Sequence, residues 1–257
     1  MAANTGSDST GRKNYYGVAY GKLSTSVKDI PDGYSEITEA DLKSKTKAVE
    51  QIDLRKKYLN KGKGDYPYKV FYDSLTGVIL EQEKFQNDNG TNLNLTVLDK
   101  DGDTSIIQVK FYSKYNENLL NRLLNADTTK EFTFFPYAIA NTAEIKGKNI
   151  SFYTQGISIK VAGTKIEPKF LDKSKDANSP LPNTEQVKVQ GKETTSRDNR
   201  LDFLYEEFVK HFKPSTATPA QKSETKSANA LPPISPSEAF APAGKLVTEK
   251  EIDELPF

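Results

Sequence analysis

The chain has 257 residues, 35% hydrophobic and 28% charged, with a formal net charge of +1, which suits one large or two small domains plus polar segments outside the core. There is no Cys and a single His, His211, so disulfides, thiolate zinc sites and His-based nucleophilic triads drop out of consideration, and no metal or cofactor is expected. No apolar run approaches the ~18 residues of a membrane span, and the polar stretch Met1–Lys13 lacks the apolar region of a signal peptide, so a cytoplasmic protein without membrane contact is expected.

Residues 1–13 are rich in Gly, Ser, Thr and Asn and read as disordered. Asn14 to Leu23 reads as one strand whose dense tyrosines, Tyr15, Tyr16 and Tyr20, suit either a core or a stacking role. Thr38-Glu39-Ala40-Asp41 is a capping-box pattern. It predicts a helix carried by Leu42, Val49, Ile52 and Leu59 and stopped by Gly62 and Gly64. Eight Lys and Arg residues between Lys43 and Lys63 accompany only Glu50 and Asp53. A solvated helix face and a phosphate-contacting rim both fit that charge run.

The middle of the chain is β-rich. Tyr66–Asp73 and Thr76–Phe85 are strand-like, and Gln86–Gly90 is a loop of turn formers. Asn92–Asp99 puts Leu93, Leu95 and Val97 on one face and Asn92, Asn94 and Thr96 on the other. Lys100–Asp103 is a hairpin turn with Asp-Gly as its signal. It lacks the Gly placement and the twelfth-position Glu of a calcium loop. Thr104–Tyr112 turns Ile107, Val109 and Phe111 one way and Gln108, Lys110 and Tyr112 the other. Lys114–Asn125 is a helix with a stripe of Leu119, Leu120, Leu123 and Leu124. Glu131–Ile139 is a strand that Pro136 demotes to an edge or bulge. Asn141–Lys148 is a loop, and Asn149–Ala162 a long strand or bent pair. Phe111, Phe134 and Phe152 are assigned to the core.

Residues 171–196 form a polar loop, and Ser196 caps a helix over Arg197–Lys213. Its stripe of Leu201, Leu204, Phe208 and Phe212 packs on the β body and leaves His211 at the surface. Six prolines between Pro214 and Lys245 mark a flexible linker (214–248) leading to an acidic tip, 249–257. Residues 214–257 hold four Lys and six acids, leaving 32 basic and 29 acidic groups before them. Any nucleic-acid site is therefore a local patch.

Between residues 76 and 162 the order is three strands, a helix and two strands. That is the element order of the OB-fold, a five-stranded Greek-key barrel. A mainly β OB-fold domain over 14–170 is expected, with an N-terminal strand/helix extension, added helices and a disordered tail. In such a barrel the outward face of the second and third strands and the adjoining loops, here about 86–91 and 141–148, take oligonucleotides or oligosaccharides. Single-strand binding needs cations along the phosphates and rings against the bases. The candidates are Asn94, Thr96, Gln108, Lys110 and Tyr112 on the outward face, with Lys114 and Tyr115 beside them. Tyr68, Lys69 and Tyr72, and Lys146, Lys148 and Tyr153, complete the set, with Tyr112 the leading stacking ring.

An OB-like body, a Pro/Ser/Ala linker and acids followed by Leu-Pro-Phe together resemble the single-stranded DNA-binding proteins of bacteria and their phages, with a layout most like the phage T7 type. The resemblance implies a non-enzymatic, cytoplasmic protein, in the host cytoplasm if phage-encoded. It would coat single-stranded DNA without sequence preference during replication, recombination and repair. It further implies that Asp253, Glu254, Leu255, Pro256 and Phe257 dock onto partner proteins, and that the tail competes with DNA for a basic groove. The chain departs from the bacterial pattern in having no Trp and a long N-terminal extension. Stacking residues are therefore not transferred by position, and homo-oligomerisation is left open. A strand-annealing mediator and an RNA-binding OB protein are alternatives. A nuclease using Asp99, Asp101 and Asp103, and a carbohydrate-binding module, are weaker ones.

Overall fold

Tyr20 and Gly21 fold the Tyr-rich run back on itself. In the computed structural model, which describes residues 14–38, 40–41, 57–60, 64–145, 148–189 and 192–217, both residues adopt positive φ, 53° and 71°. Strand β1 (Asn14–Ala19) consequently pairs antiparallel with β2 (Lys22–Val27), so the single strand expected here is a hairpin. A side chain at Gly21 would place its Cβ 2.5 Å from the Ala138 amide nitrogen, so the turn needs glycine for space as well as for φ.

β3 (Ser35–Ile37) pairs in parallel with β4 (Lys57–Asn60). The capping box forms: the Asp41 N–H donates to Thr38 Oγ1 at 3.0 Å, and the Thr38 N–H donates to Asp41 Oδ2 at 3.1 Å. Leu59, expected in the following helix, lies in β4, where pairing with β3 and β5 (Tyr68–Tyr72) overrides the helical spacing. Lys57 opens β4, and the other cations of that run lie outside the described residues.

β6 (Leu75–Asn87), β7 (Gly90–Leu98) and β8 (Thr104–Lys110) form an antiparallel meander. The expected loop at 86–90 shrinks to a turn at Asp88-Asn89. In the second turn, the Asp99 carboxylate accepts from the Asp101 and Asp103 amides at 2.9 and 2.8 Å, the turn arrangement expected there. Helix α1 (Lys114–Leu123) starts at Ser113, whose Oγ accepts from the Asn116 N–H.

β9 (Glu131–Ile145) and β10 (Lys148–Val161) pair along their whole length, so the loop expected over Asn141–Lys148 is nearly all strand. The β6–β9 pairing stops at Phe134, which leaves Pro136 on a locally free edge, as its missing N–H requires. The short β11 (Thr164–Lys165) follows. Inside the expected 171–196 loop, β12 (Glu185–Val189) and β13 (Lys192–Ser196) make a separate hairpin. Helix α2 (Asp198–His211) has Arg197 at its N-cap position without a side-chain cap bond, while Ser196 Oγ accepts from the Asp198 N–H at 3.2 Å. His211 is half-buried, its Nε2 2.9 Å from the Ala126 carbonyl oxygen.

The fold is mainly β. Its main sheet is mixed, in the order β11-β10-β9-β6-β7-β8-β1-β2-β5-β4-β3. The run β9-β6-β7-β8 is a Greek key, with the fourth strand returning beside the first. The sheet is not closed. β1 pairs in parallel with the outer edge of β8, so the five-stranded closure expected for a barrel is absent and that edge is covered by an added hairpin instead. The concave face carries the expected alternation: Leu93, Leu95 and Val97 of β7, Ile107 and Val109 of β8, and Phe111 are buried. The α1 leucines and α2 residues Leu201, Leu204 and Phe208 fill it from the other side. Each of these three α2 side chains is fully buried and contributes about 1.5–3 kcal/mol to docking that helix. Phe134 is in the core, while the Phe152 side chain is outside the described residues. No helix among the described residues is long and apolar enough to cross a membrane.

Candidate nucleic-acid interface

A β-bulge decides which side chains of β6 face solvent. Leu75, Gly77 and Ile79 point into the core, and Ile79 pairs with Val97. The register then shifts, so that Glu81 pairs with Thr96, Glu83 with Asn94 and Phe85 with Asn92. The extra residue reverses the facing of the odd positions. Glu81, Glu83 and Phe85 therefore join Asn94 and Thr96 of β7 and Gln108 of β8 on the convex face. The parallel β1–β8 pairing sets Tyr15 beside Ile106 on the same face.

Together these residues line a shallow groove of about 460 Å³. Tyr15 is 49% and Phe85 40% exposed, two large rings left in solvent across a polar floor. On that floor the Gln108 side-chain amide donates to Asn94 Oδ1 at 3.1 Å. Lys110 lies one outward position beyond Gln108, on the rim, and its ammonium donates to the Asn89 carbonyl at 2.9 Å. The groove lining itself contains two carboxylates, Glu81 and Glu83, and no cation. The carboxylates make the centre of the groove unfavourable for an anion, while the rim carries the Lys110 ammonium.

The expected site residues separate into groups. Asn94, Thr96 and Gln108 come together in the groove, with Lys110 on its rim. Tyr112 does not join them: it follows the end of β8 and turns to α2, its hydroxyl donating to Asp202 Oδ1 at 3.3 Å. The Lys84 ammonium lies 3.9 Å from the Phe111 ring centroid and 3.2 Å from Asp202, between the sheet and α2. Tyr112 is 48% exposed, but it stands at the α2 contact, off the polar floor.

Tyr115 is a core residue, 7% exposed, with its hydroxyl accepting from the Gly21 N–H at 2.9 Å. Burial raises its pKa, against the lowering effect of that amide. It cannot present a ring face to a base in this conformation. Tyr72 packs edge-on against Tyr16 and Tyr34, at 5.8 and 6.4 Å between centroids, and burial raises its pKa. Tyr68 and Lys69 lie on β5, beyond β1 and β2 from the groove, with the Lys69 ammonium 5.9 Å from the Phe71 ring centroid. Tyr153 is half-buried on β10 opposite Ala140. Lys148 begins β10 with no side chain described, while Lys146 and the tip residues Asp253, Glu254, Leu255, Pro256 and Phe257 lie outside the described residues. Lys114 faces a different cleft, between α1, β10 and α2.

Phe85 is the ring that sequence reading missed. Its signal was the pair of acids at Glu81 and Glu83, which marks those odd positions as solvent-facing and carries Phe85 with them. Comparison with family models, curated proteins and solved structures finds no match to this chain.

Proposed function

We propose that this chain is a single-stranded DNA-binding protein that holds the strand across the convex face of β6, β7, β8 and β1. The observation that carries the reading is the pair of solvent-exposed rings, Tyr15 and Phe85, flanking the amide floor of Asn94 and Gln108. Rings of this kind take bases of any sequence, because every base has a π-face. The Greek key β9-β6-β7-β8, with α1 after its third strand and the β9–β10 hairpin behind it, supports an OB-like body. In this reading the β1–β2 hairpin occupies the seam where the barrel would close, and its Tyr15 extends the platform by one strand. The protein acts by coating rather than by catalysis, in the cytoplasm of the cell that makes it. Asp253, Glu254, Leu255, Pro256 and Phe257 recruit replication and recombination partners, a role supported by their acidic-then-apolar sequence alone.

The test is a titration of labelled oligo(dT) and of duplex DNA of equal length, over a range of salt concentrations. Tight oligo(dT) binding, weak duplex binding and a log-linear loss of affinity with salt are expected. Equal affinity for the duplex, or a flat salt dependence, would overturn the reading.

A further inference from the structure

A second cleft, of about 730 Å³, opens between α1, β9, β10, the segment around Phe170 and the start of α2. It shares no lining residue with the convex groove. Four cations line it: Lys114, Lys175, Arg197 and Arg200, of which Lys175 is exposed to solvent. Arg200 is fully committed. Its Nε donates to the Pro182 carbonyl at 2.6 Å, and its terminal nitrogens donate to Glu117 at 3.1 Å and to Asp172 at 2.7 Å. Arg197 spends one nitrogen on the other Glu117 oxygen, at 2.8 Å. Glu117 is thus shared by two guanidinium groups, and Asp172 is taken by one of them. Among the described residues, Lys114 makes no hydrogen bond or ion pair, and neither does the side-chain amide of Gln155, which lines the same cleft.

Lys114 is also badly placed for a free cation. It is half-buried, it is the first residue of α1, and Arg197 is the N-cap residue of α2, so both positive groups stand at the positive ends of helices. Burial, and then the Arg197 guanidinium, hold the Lys114 ammonium below the usual lysine range, against the pull of Glu117. The other polar groups around the cleft are satisfied internally. Asn121 clamps the Phe170 backbone from both sides, and Thr154 accepts from Asn141. What remains is a concave site with excess positive charge and three unspent donor groups, on Lys114, Arg197 and Gln155.

We propose that this cleft is a phosphate-binding site in which Lys114, Arg197 and Gln155 hold a single phosphate group. A doubly or singly charged oxyanion would neutralise the Lys114–Arg197 repulsion and accept the donors that the fold leaves open. The phosphate belongs either to a mononucleotide or to the backbone of a nucleic-acid strand; the chemistry recognised is the same.

Thermal unfolding of the full chain in inorganic phosphate, against chloride at equal ionic strength, tests the site. Phosphate raises the stability of many proteins nonspecifically, so the specific part is the shift that Lys114→Gln removes. In chloride, Lys114→Gln should melt no lower than the wild type, because it relieves a repulsion; a residue with a purely structural role would lower Tm when replaced. In phosphate the wild type should gain more than this variant. Lys114→Glu supplies the anion from the chain itself, so it should raise Tm in chloride and be the least responsive to phosphate. Equal phosphate shifts in all three proteins would overturn the proposal, as would a clear loss of Tm in chloride on replacing Lys114 by Gln.

The source follows from two further arms. If the phosphate is a strand's, Lys114→Gln lowers the salt slope of oligo(dT) binding by about one. If it is a mononucleotide's, dTMP reproduces the stabilisation and the oligo(dT) slope is unchanged. The phosphate arm does not require DNA binding at the convex groove, so failure of that reading and failure of this site are separately visible.

Discussion

Removing the two exposed rings isolates the base-stacking part of the proposed interface. Tyr15 and Phe85 lie on β1 and β6, three strand spacings apart, and the register places Phe85 near the level of Lys110 and Tyr15 at that of Ile106. Three spacings of ~4.8 Å and four residues of ~3.3 Å put the ring positions roughly 19 Å apart. At that distance they stack on different nucleotides, and their effects add. Each base–ring contact is worth about 1–3 kcal/mol, so Tyr15→Ala or Phe85→Ala alone weakens oligo(dT) binding at least about fivefold. The double variant weakens it about 25-fold or more. Both rings are about half buried, so each substitution lowers folding stability by about 1–1.5 kcal/mol, too little to unfold the chain in the binding assay. Neither substitution removes a charge, so the slope of log affinity against log salt is preserved. Fluorescence anisotropy of labelled oligo(dT) at several salt concentrations measures both quantities. A double variant that binds within twofold of the wild type would refute the placement of the strand on this face. A changed salt slope would show that phosphate contacts, not stacking, had been disturbed.

Three further outcomes are expected away from the convex face. Tyr115→Phe leaves the buried Gly21 N–H without an acceptor and costs about 1–2 kcal/mol in urea unfolding, with oligo(dT) affinity unchanged; an affinity loss at constant stability would return this ring to the strand's path. Gly77→Ala would bring a Cβ within 2.3 Å of the Leu98 carbonyl oxygen, a backbone atom that cannot swing away. Overpacking of about 1–3 kcal/mol should appear as a lowered urea midpoint at an unchanged m-value. The bond from Arg200, with the Ser174 amide and hydroxyl adding to it, holds the Asp172 carboxyl below the usual carboxylate range. A folded pKa below the unfolded one makes this stabilisation complete above the unfolded value, about 3.9, and lost as pH falls through the folded value. The wild type should therefore lose stability below about pH 4 more steeply than Asp172→Asn, and parallel acid limbs would contradict the pairing.

The sequence alone determined the elements whose signals are local. Leu93, Leu95 and Val97 against Asn94 and Thr96, the Asp-Gly turn after Leu98, the Thr38–Asp41 box, the α1 leucines and the α2 stripe all reflect a period or a cap written within a dozen residues. Those same patterns identified Asn94, Thr96, Gln108 and Lys110 as convex-face residues. What only the tertiary structure decided depends on contacts between distant segments. Strict alternation from Leu75 and Ile79 would bury Phe85 while Glu81 and Glu83 point it outward, and the bulge before Glu81 decides between these two sequence signals by exposing it. Tyr15 reaches the groove because β1 pairs with β8, some ninety residues along the chain, and that pairing also replaces barrel closure. Tyr115 is buried because Gly21, on a turn far away in sequence, supplies its hydroxyl with a donor. Tyr112 leaves the convex face because β8 ends at Lys110 and α2 offers Asp202. A side chain's tendency to alternate is a property of its own strand, whereas register, edge partners and burial at strand ends are set by whichever segment wins the free edge. The two exposed rings, Tyr15 and Phe85, lie where those non-local choices were made.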